Sequence, residues 1–359
     1  MPNQLAYGFV SLEEVFGRRL NELNAGVVDT AVQASLAEHN RQVNSLLALT
    51  TGRTTLAQER FYLPGAGTLQ PLDEWGNPKP VRGGPFADVG FPIQGGGSAW
   101  GTNIVSEELM TVQEANNYQV QIQQQDADWI RRHILAALLD NTSWTYNDEE
   151  VGAVTVLPLA NGDTQTYLTR NGLMATANHY VAQAAAIADA TNPFDNVHTL
   201  LTRYPGNDGP FVSYVASNLV ADIEALENFV PVVDTDIIVG ANNDRLGGVP
   251  ASVRAFGEEV LGKVDQMWIV EWGTMPDDYI LSLAQGSAEP ALVMREYPAA
   301  SLQGLFQRNH SPDGNRMLRA FRRFAGFGAR NRTAAAVTFV EAGDTTYDIP
   351  TGFATPLPV

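Results

Sequence analysis

The 359-residue chain carries 22 Lys+Arg against 40 Asp+Glu, a formal charge of −18, and its only lysines are Lys79 and Lys263. That balance excludes a protein that grips nucleic acid through overall charge, because affinity for phosphate comes from basic groups that displace counterions. With no cysteine, disulfides, thiol nucleophiles and cysteine zinc sites fall together, and no apolar run reaches the ~18 residues a membrane helix needs.

The first 50 residues read as helix. Ser11 and Glu14 form a capping-box pattern, followed at helical spacing by Leu12, Val15, Phe16, Leu20 and Leu23. After Gly26 the stripe resumes through Val28, Val32, Leu36, Val43, Leu46 and Leu47. Two readings stay open for this region: an amphipathic helix pair on the chain's own core, and an arm lying on a neighbouring subunit. Residues 56–102 then hold 10 Gly and 6 Pro, yet include Phe61, Tyr62, Leu63, Leu69, Leu72, Trp75, Phe86, Phe91, Ile93 and Trp100. Short strands over 60–63 and 89–93, with a turn near 74–80, make this a long hairpin. A lone two-stranded ribbon is marginal in water, and this many large apolar residues argue against disorder. The ribbon therefore has to bury its side chains on the chain's own body or on another copy, and the second reading is preferred.

A long helix is expected over 111–140, opened by a Thr111/Glu114 capping box. A strand pair follows, 151–157 and 165–168, turning at Asn161-Gly-Asp163, and then an Ala-rich helix over 171–190. Beyond Thr191-Asn-Pro193 short apolar strands alternate with helix: 211–215, a helix 218–229, then 236–239, 266–271 and 279–283, the last two joined as a hairpin by Pro276-Asp-Asp278. A strand over 334–340 returns to the earlier part of the chain, and 347–359, with three prolines, runs extended.

Chemical motifs are absent. Gly95-Gly-Gly97 lacks a following Gly-Lys-Ser/Thr, Gly326-Phe-Gly328 lacks the third glycine of a dinucleotide loop, and no Gly-x-Ser-x-Gly occurs. The acidic pairs Asp126/Asp128, Asp234/Asp236 and Asp277/Asp278 have no third ligand at metal-site spacing and read as solvated or turn acids. The one charge anomaly is 308–332, where Arg308, Arg316, Arg319, Arg322, Arg323, Arg330 and Arg332 face a single acid, Asp313. Ion pairs between subunits or domains, a DNA-facing patch and a solvated face are the three readings. The first is preferred because Phe321, Phe324 and Phe327 interleave with the arginines, as at a contact surface.

The run Arg60-Phe-Tyr-Leu-Pro-Gly-Ala-Gly-Thr-Leu-Gln-Pro-Leu-Asp-Glu-Trp-Gly-Asn-Pro78 resembles the extended loop of tailed-bacteriophage major capsid proteins of the Hong-Kong-97-type fold. Phe86–Gln94 with Ala99-Trp-Gly101 is similar to its return strand, Asp128–Ala137 to the family's spine helix, and Met317–Val340 to its late strand. The resemblance implies an α+β subunit in this order: N-terminal arm (1–55), extended loop (56–102), peripheral domain with spine helix (103–191), inserted axial α/β domain (192–300), and a return with the C-terminal tail (301–359). It also implies a structural protein, not an enzyme, with no cofactor and no metal. This subunit would form pentamers and hexamers of the icosahedral head of a double-stranded DNA phage, assembled in the host cytoplasm.

On that reading Phe61, Tyr62, Leu69, Leu72, Trp75, Phe86, Phe91 and Ile93 of the loop, and the seven arginines, are intersubunit contacts. Expected partners are the chain itself, a separate scaffolding protein, a portal, decoration proteins and non-specifically held DNA. A separate scaffolding protein, or none, is expected in place of a cleaved N-terminal scaffolding segment, because the predicted arm starts within the first dozen residues. Some relatives weld subunits through a Lys–Asn bond catalysed by Glu. Lys79 sits at the loop tip and Asn309 and Asn315 are its candidate partners, but 308–332 contains no Glu, so no cross-link is expected. Two rivals remain, another virion structural protein (decoration or portal-associated) and an acidic two-domain hydrolase or isomerase.

Overall fold

Helical and strand periods alternate along the chain, and the computed structural model turns most of them into the corresponding elements. It describes residues 17–19, 25–47, 51–62, 71–78, 86–103, 109–162, 164–232, 260–310, 316–341, 343 and 345–357. In chain order these form α1 (Ala25–Leu47), β1 (Thr51–Thr54), β2 (Gln58–Tyr62), β3 (Phe86–Gly90), β4 (Gln94–Asn103) and α2 (Val112–Leu139). The hairpin strands β5 (Trp144–Asp148), β6 (Gly152–Val156), β7 (Thr166–Leu168) and β8 (Met174–Thr176) follow, then β9 (Tyr180–Gln183) and α3 (Phe194–Thr202). Next come β10 (Phe211–Val215), α4 (Val220–Glu224), β11 (Phe229–Pro231), β12 (Val260–Val264), β13 (Met267–Glu271) and β14 (Tyr279–Ala284). The chain closes with β15 (Leu292–Arg295), β16 (Phe306–His310), β17 (Arg316–Ala329) and β18 (Ala335–Val340). The result is a mixed α+β fold.

The described residues group into two compact units. The first draws on Met1–Ser45, Ile93–Arg132 and Glu296–Ala325. Its sheet is antiparallel: residues 316–325 of β17 run between β4 on one side and β16 on the other. The α1 helix and the first part of α2 supply the apolar cover, where Leu36, Met110, Ile122, Leu305, Phe321 and Trp100 form one buried cluster. The start of α2 is fixed by the capping box read from the sequence. The Glu114 amide donates to the Thr111 hydroxyl at 3.2 Å, and the Thr111 amide donates to the Glu114 carboxylate at 2.9 Å. Of the two readings of the N-terminal region, the structure gives α1 the first, since Leu36 packs on the chain's own core. The expected helix over 11–23 lies largely outside the described residues.

The glycine run of β4 has a packing explanation. The strand passes beneath Trp129, and a Cβ on Gly96 would stand 2.8 Å from the indole nitrogen. A phosphate loop is not needed to account for it.

The second unit draws on Leu46–Pro92, His133–Arg295 and Gly326–Val359. Its main sheet has the order β11-β12-β13-β10-β14-β18-β9, with β10/β13 and β18/β9 parallel and the other pairs antiparallel. The α3 helix packs its Phe194, Val197 and Leu201 against Val215, Ile269 and Ile280 of this sheet. A smaller set of strands pairs β1 parallel to β15, and β15 antiparallel to residues 326–329.

Four sequence expectations are corrected here. Residues 171–190 do not form a helix. An Asn171-Gly172 turn, with Gly172 at φ 78°, leads into β8, and β9 pairs with β18. Helix propensity is a weak prior that such long-range pairing overrides. The segment 152–156 pairs with 144–148 and not with 165–168, because Asp148 caps a turn by accepting from the amides of Glu150 and Val151. The strands β13 and β14 are not a hairpin, since β10 lies between them and pairs with both. The helix predicted over 218–229 ends at Glu224. The strand expected at 236–239 lies outside the described residues. The tail is anchored: the Tyr347 hydroxyl donates to the Leu139 carbonyl at 2.6 Å.

Candidate assembly surfaces

The ribbon is made by β2 and β3, paired from Gln58↔Gly90 to Tyr62↔Phe86. Across it Arg60 donates twice to Asp88, at 2.7 and 2.8 Å, in a solvent-exposed pair of the kind that adds under about 1 kcal/mol. In the chain between these two strands, residues 73–77 form a preformed turn. The Asp73 carboxylate accepts from the amides of Trp75 (2.9 Å) and Asn77 (2.7 Å) and from the Asn77 side chain (3.1 Å), and the Gly76 amide donates to the Asp73 carbonyl. These hydrogen bonds hold the Asp73 carboxyl below its usual range. The turn presents apolar surface to solvent, with Trp75 87% and Leu72 61% exposed. Large apolar groups held open on an ordered turn mark an interaction site more often than a random exposure does.

The root of the ribbon is different. Phe91 is fully buried among Val89, Val293 and Leu157, and a Cβ on Gly328 would lie 2.8 Å from its ring. Ile93 is buried as well. These two residues, expected to touch a neighbour, lie inside the chain, because the hairpin is shorter than predicted and residues 94–103 form strand β4 of the first unit's sheet, paired with β17. Phe61, Tyr62 and Phe86 lie on the paired strands. Leu69 and Lys79 lie outside the described residues.

Strand alternation sorts the arginines. Arg319, Phe321 and Arg323 share the face of β17 that turns toward the helices. Arg323 is 1% exposed and donates to both carboxylate oxygens of Asp126, at 2.5 and 2.8 Å, and to Asn40 at 3.0 Å. His39 Nε2 lies 2.8 Å from the same carboxylate. Burial pushes the Asp126 carboxyl up, but hydrogen bonds from His39 and Arg323, with the guanidinium charge, outweigh it and hold the group below the usual carboxylate range. Arg319 is buried with its guanidinium 5.2 Å from the Trp100 ring centre. Further along, Arg330 pairs with Glu59 (2.8 Å) and Glu289 (2.6 Å), and buried Arg332 lies over Tyr167.

Four of the seven arginines expected at subunit contacts are thus engaged within the chain. Arg308 and Arg322 are exposed, and Arg316 opens β17. Phe321 and Phe327, read as contact-surface aromatics, are core residues. Asp126, read as a solvated acid, is buried; its partners are 87 and 197 residues away in sequence, so no local signal marks it. A second buried ion pair, Asp148–Arg295 at 2.6 Å, was equally invisible.

Among the described residues no group of three or more His, Cys, Asp or Glu is placed to hold a metal ion, and no helix is long and apolar enough to cross a membrane.

No family model and no curated protein matches the chain. Solved structures do. A structure of Mycobacterium phage Patience is similar over 96% of this chain and 96% of its own, with a TM-score of 0.70 at 18% identity. The capsid of cyanophage P-SCSP1u covers 82% of this chain and 87% of its own, with a TM-score of 0.47 at 12% identity. The mature capsid of bacteriophage PhiM1 covers 81% and 84%, with a TM-score of 0.46 at 10% identity. The fold assignment rests on the first, which spans both chains almost end to end. The resemblance to phage coat proteins read in the sequence is met, at the level of the fold, by a phage structure.

Proposed function

We propose that this chain is the major capsid protein of a tailed double-stranded DNA phage, a shell subunit that associates with copies of itself into pentamers and hexamers. The observation that carries the proposal is the ordered turn at the end of the β2–β3 ribbon, which holds Trp75 and Leu72 in solvent. Apolar side chains fixed in that way gain about 25 cal/mol per Å2 once covered, and a neighbouring subunit is the surface a shell supplies. The full-length likeness in fold to a phage structure supports it. In this reading α2 is the spine helix, the ribbon is the extended loop, and the main sheet of the second unit belongs to the axial domain. The protein resides in the virion, with scaffolding, portal and decoration proteins and packaged DNA as its further partners.

Each contact can be weak, because a subunit already held by one neighbour meets the next at high effective concentration. The test is electron microscopy of the chain expressed alone and with its neighbouring virion proteins. Closed shells of uniform size are expected, and a discrete dimer or trimer under both conditions would overturn the proposal. Denaturing gels of the shells are expected to show one band at the chain mass of 38.9 kDa, as befits non-covalent assembly.

A further inference from the structure

Small residues on the inward face of β4 leave space beneath α2. Opposed residues of an antiparallel pair point to one side, so Gly96, Ser98 and Trp100, opposite Arg323, Phe321 and Arg319, share the side that faces the helices. Trp129 closes over Gly96. Ser98 carries too short a side chain to close the next stretch, and a cavity of about 180 Å3 remains there. Ile122, Trp129 and Leu305 wall it, and the exposed Gln125 stands at its open side. An apolar cavity of about 150 Å3 holds a benzene molecule, so this one takes a single ring with a small substituent.

Arg323 also lines the cavity and is 1% exposed. Its Nε and Nη2 donate to Asp126 and Asn40, while Nη1 is buried with no hydrogen-bond partner among the described residues. Buried donors are nearly always matched, and an unmatched one on a charged group is costly. A second cavity, of about 310 Å3, shares Ser98, Ile122 and Gln125 with the first and reaches Trp100, whose Nε1 is likewise buried and unmatched. Adjoining hollows with apolar walls and a few polar groups have the make-up of a ligand site. We propose that the groove between β4 and α2 binds a small uncharged molecule with a flat apolar body and a carbonyl oxygen, the oxygen accepting from Arg323 Nη1. Asp126 already balances the Arg323 charge, with an oxygen 2.8 Å from Nη2, so a neutral acceptor suits the site better than an anion. The site lies within the first unit and does not depend on shell formation. A molecule held there touches α2, β4 and β17 together, and so stabilises the unit by mass action.

Saturation-transfer NMR and thermal melting of the full-length chain test this with benzamide, toluene and benzoate as probes. Benzamide is expected to saturate with a dissociation constant on the order of 1 mM and to raise the melting temperature. Toluene is expected to bind about tenfold or more weakly, because it gives Nη1 no acceptor, and benzoate no more tightly than benzamide. Gln125→Trp, at the open side, is expected to weaken benzamide about tenfold or more by filling the entrance, while Gln124→Trp, exposed beside it and lining neither cavity, leaves binding unchanged. Ser98→Leu fills the cavity from its floor and is expected to abolish binding; if that variant does not fold, Gln125→Trp decides. No saturable benzamide binding up to its solubility would overturn the proposal and leave the cavity to water. Toluene binding as tightly as benzamide, benzoate binding more tightly, or undiminished binding by folded Gln125→Trp would each overturn it as well.

Discussion

Asp126 sits where three distant parts of the first unit converge, held by Arg323, His39 and, through Arg323, by Asn40. A buried pair of this kind adds little over an apolar pair of the same shape, but breaking it strands a charge. Asp126→Ala is therefore expected to destabilise by about 3–5 kcal/mol in denaturant titrations, and the double change Asp126→Leu with Arg323→Met to cost less than the single one. The pH dependence follows from the lowered Asp126 and Asp148 carboxyls. A folded-state pKa below the unfolded value of about 3.9 means the unfolded chain takes up protons first. The stabilisation is complete above that value and is lost as pH falls through the lower folded values. Asp126→Asn should flatten the acid limb of the stability–pH curve, and an unchanged limb would show that the pair does not contribute. At Gly96, Ala would drive a Cβ into the Trp129 ring and is expected to cost about 1–3 kcal/mol as overpacking.

Within the elements, β17 shows how one period divides apparently equivalent residues. Its arginines look alike in sequence, yet Arg323 is buried and Arg322 exposed. Arg323→Ala should cost several kcal/mol, while Arg322→Ala should stay within about 0.5 kcal/mol for the isolated subunit. Equal effects on thermal unfolding would contradict the assigned register. The α2 start is similarly specific: Thr111→Ala removes the hydroxyl that caps the Glu114 amide and is expected to cost about 1 kcal/mol. Alternation of period two was readable in 319–325, and applying it to the arginines would have separated inward from outward ones. It could not have named Asp126 as the inward partner, which required the packing of α2 on the sheet.

For the molecule as a whole, the ribbon is separable at its turn but not at its root. Removing residues up to 95 would take Phe91 out of the second unit's core and unfold it. Closing Tyr62 to Phe86 with a two-residue Asn-Gly turn keeps the pairing, because that turn matches the strand twist. Such a variant is expected to melt within a few degrees of wild type and to remain unassembled in sedimentation, whereas shells of normal size would remove the ribbon from the assembly account.

Local, short-range chemistry made several features legible from the sequence alone. These are the acidic charge without a catalytic or phosphate motif, the Gly/Pro-rich apolar ribbon and its turn, the capped start of α2, and the strands at 211–215 and 267–271. Capping, turn residues and apolar period act between residues a few positions apart, so they survive without tertiary context. The tertiary structure decided the rest: the pairing of β9 with β18 in place of an Ala-rich helix, the insertion of β10 between β13 and β14, the burial of Phe91, and the choice of Asp126 as the buried partner of Arg323. Each of these turns on which distant strand or helix covers a given face. That choice is set by burial and hydrogen bonding between segments tens to hundreds of residues apart, and it leaves no trace in any local window.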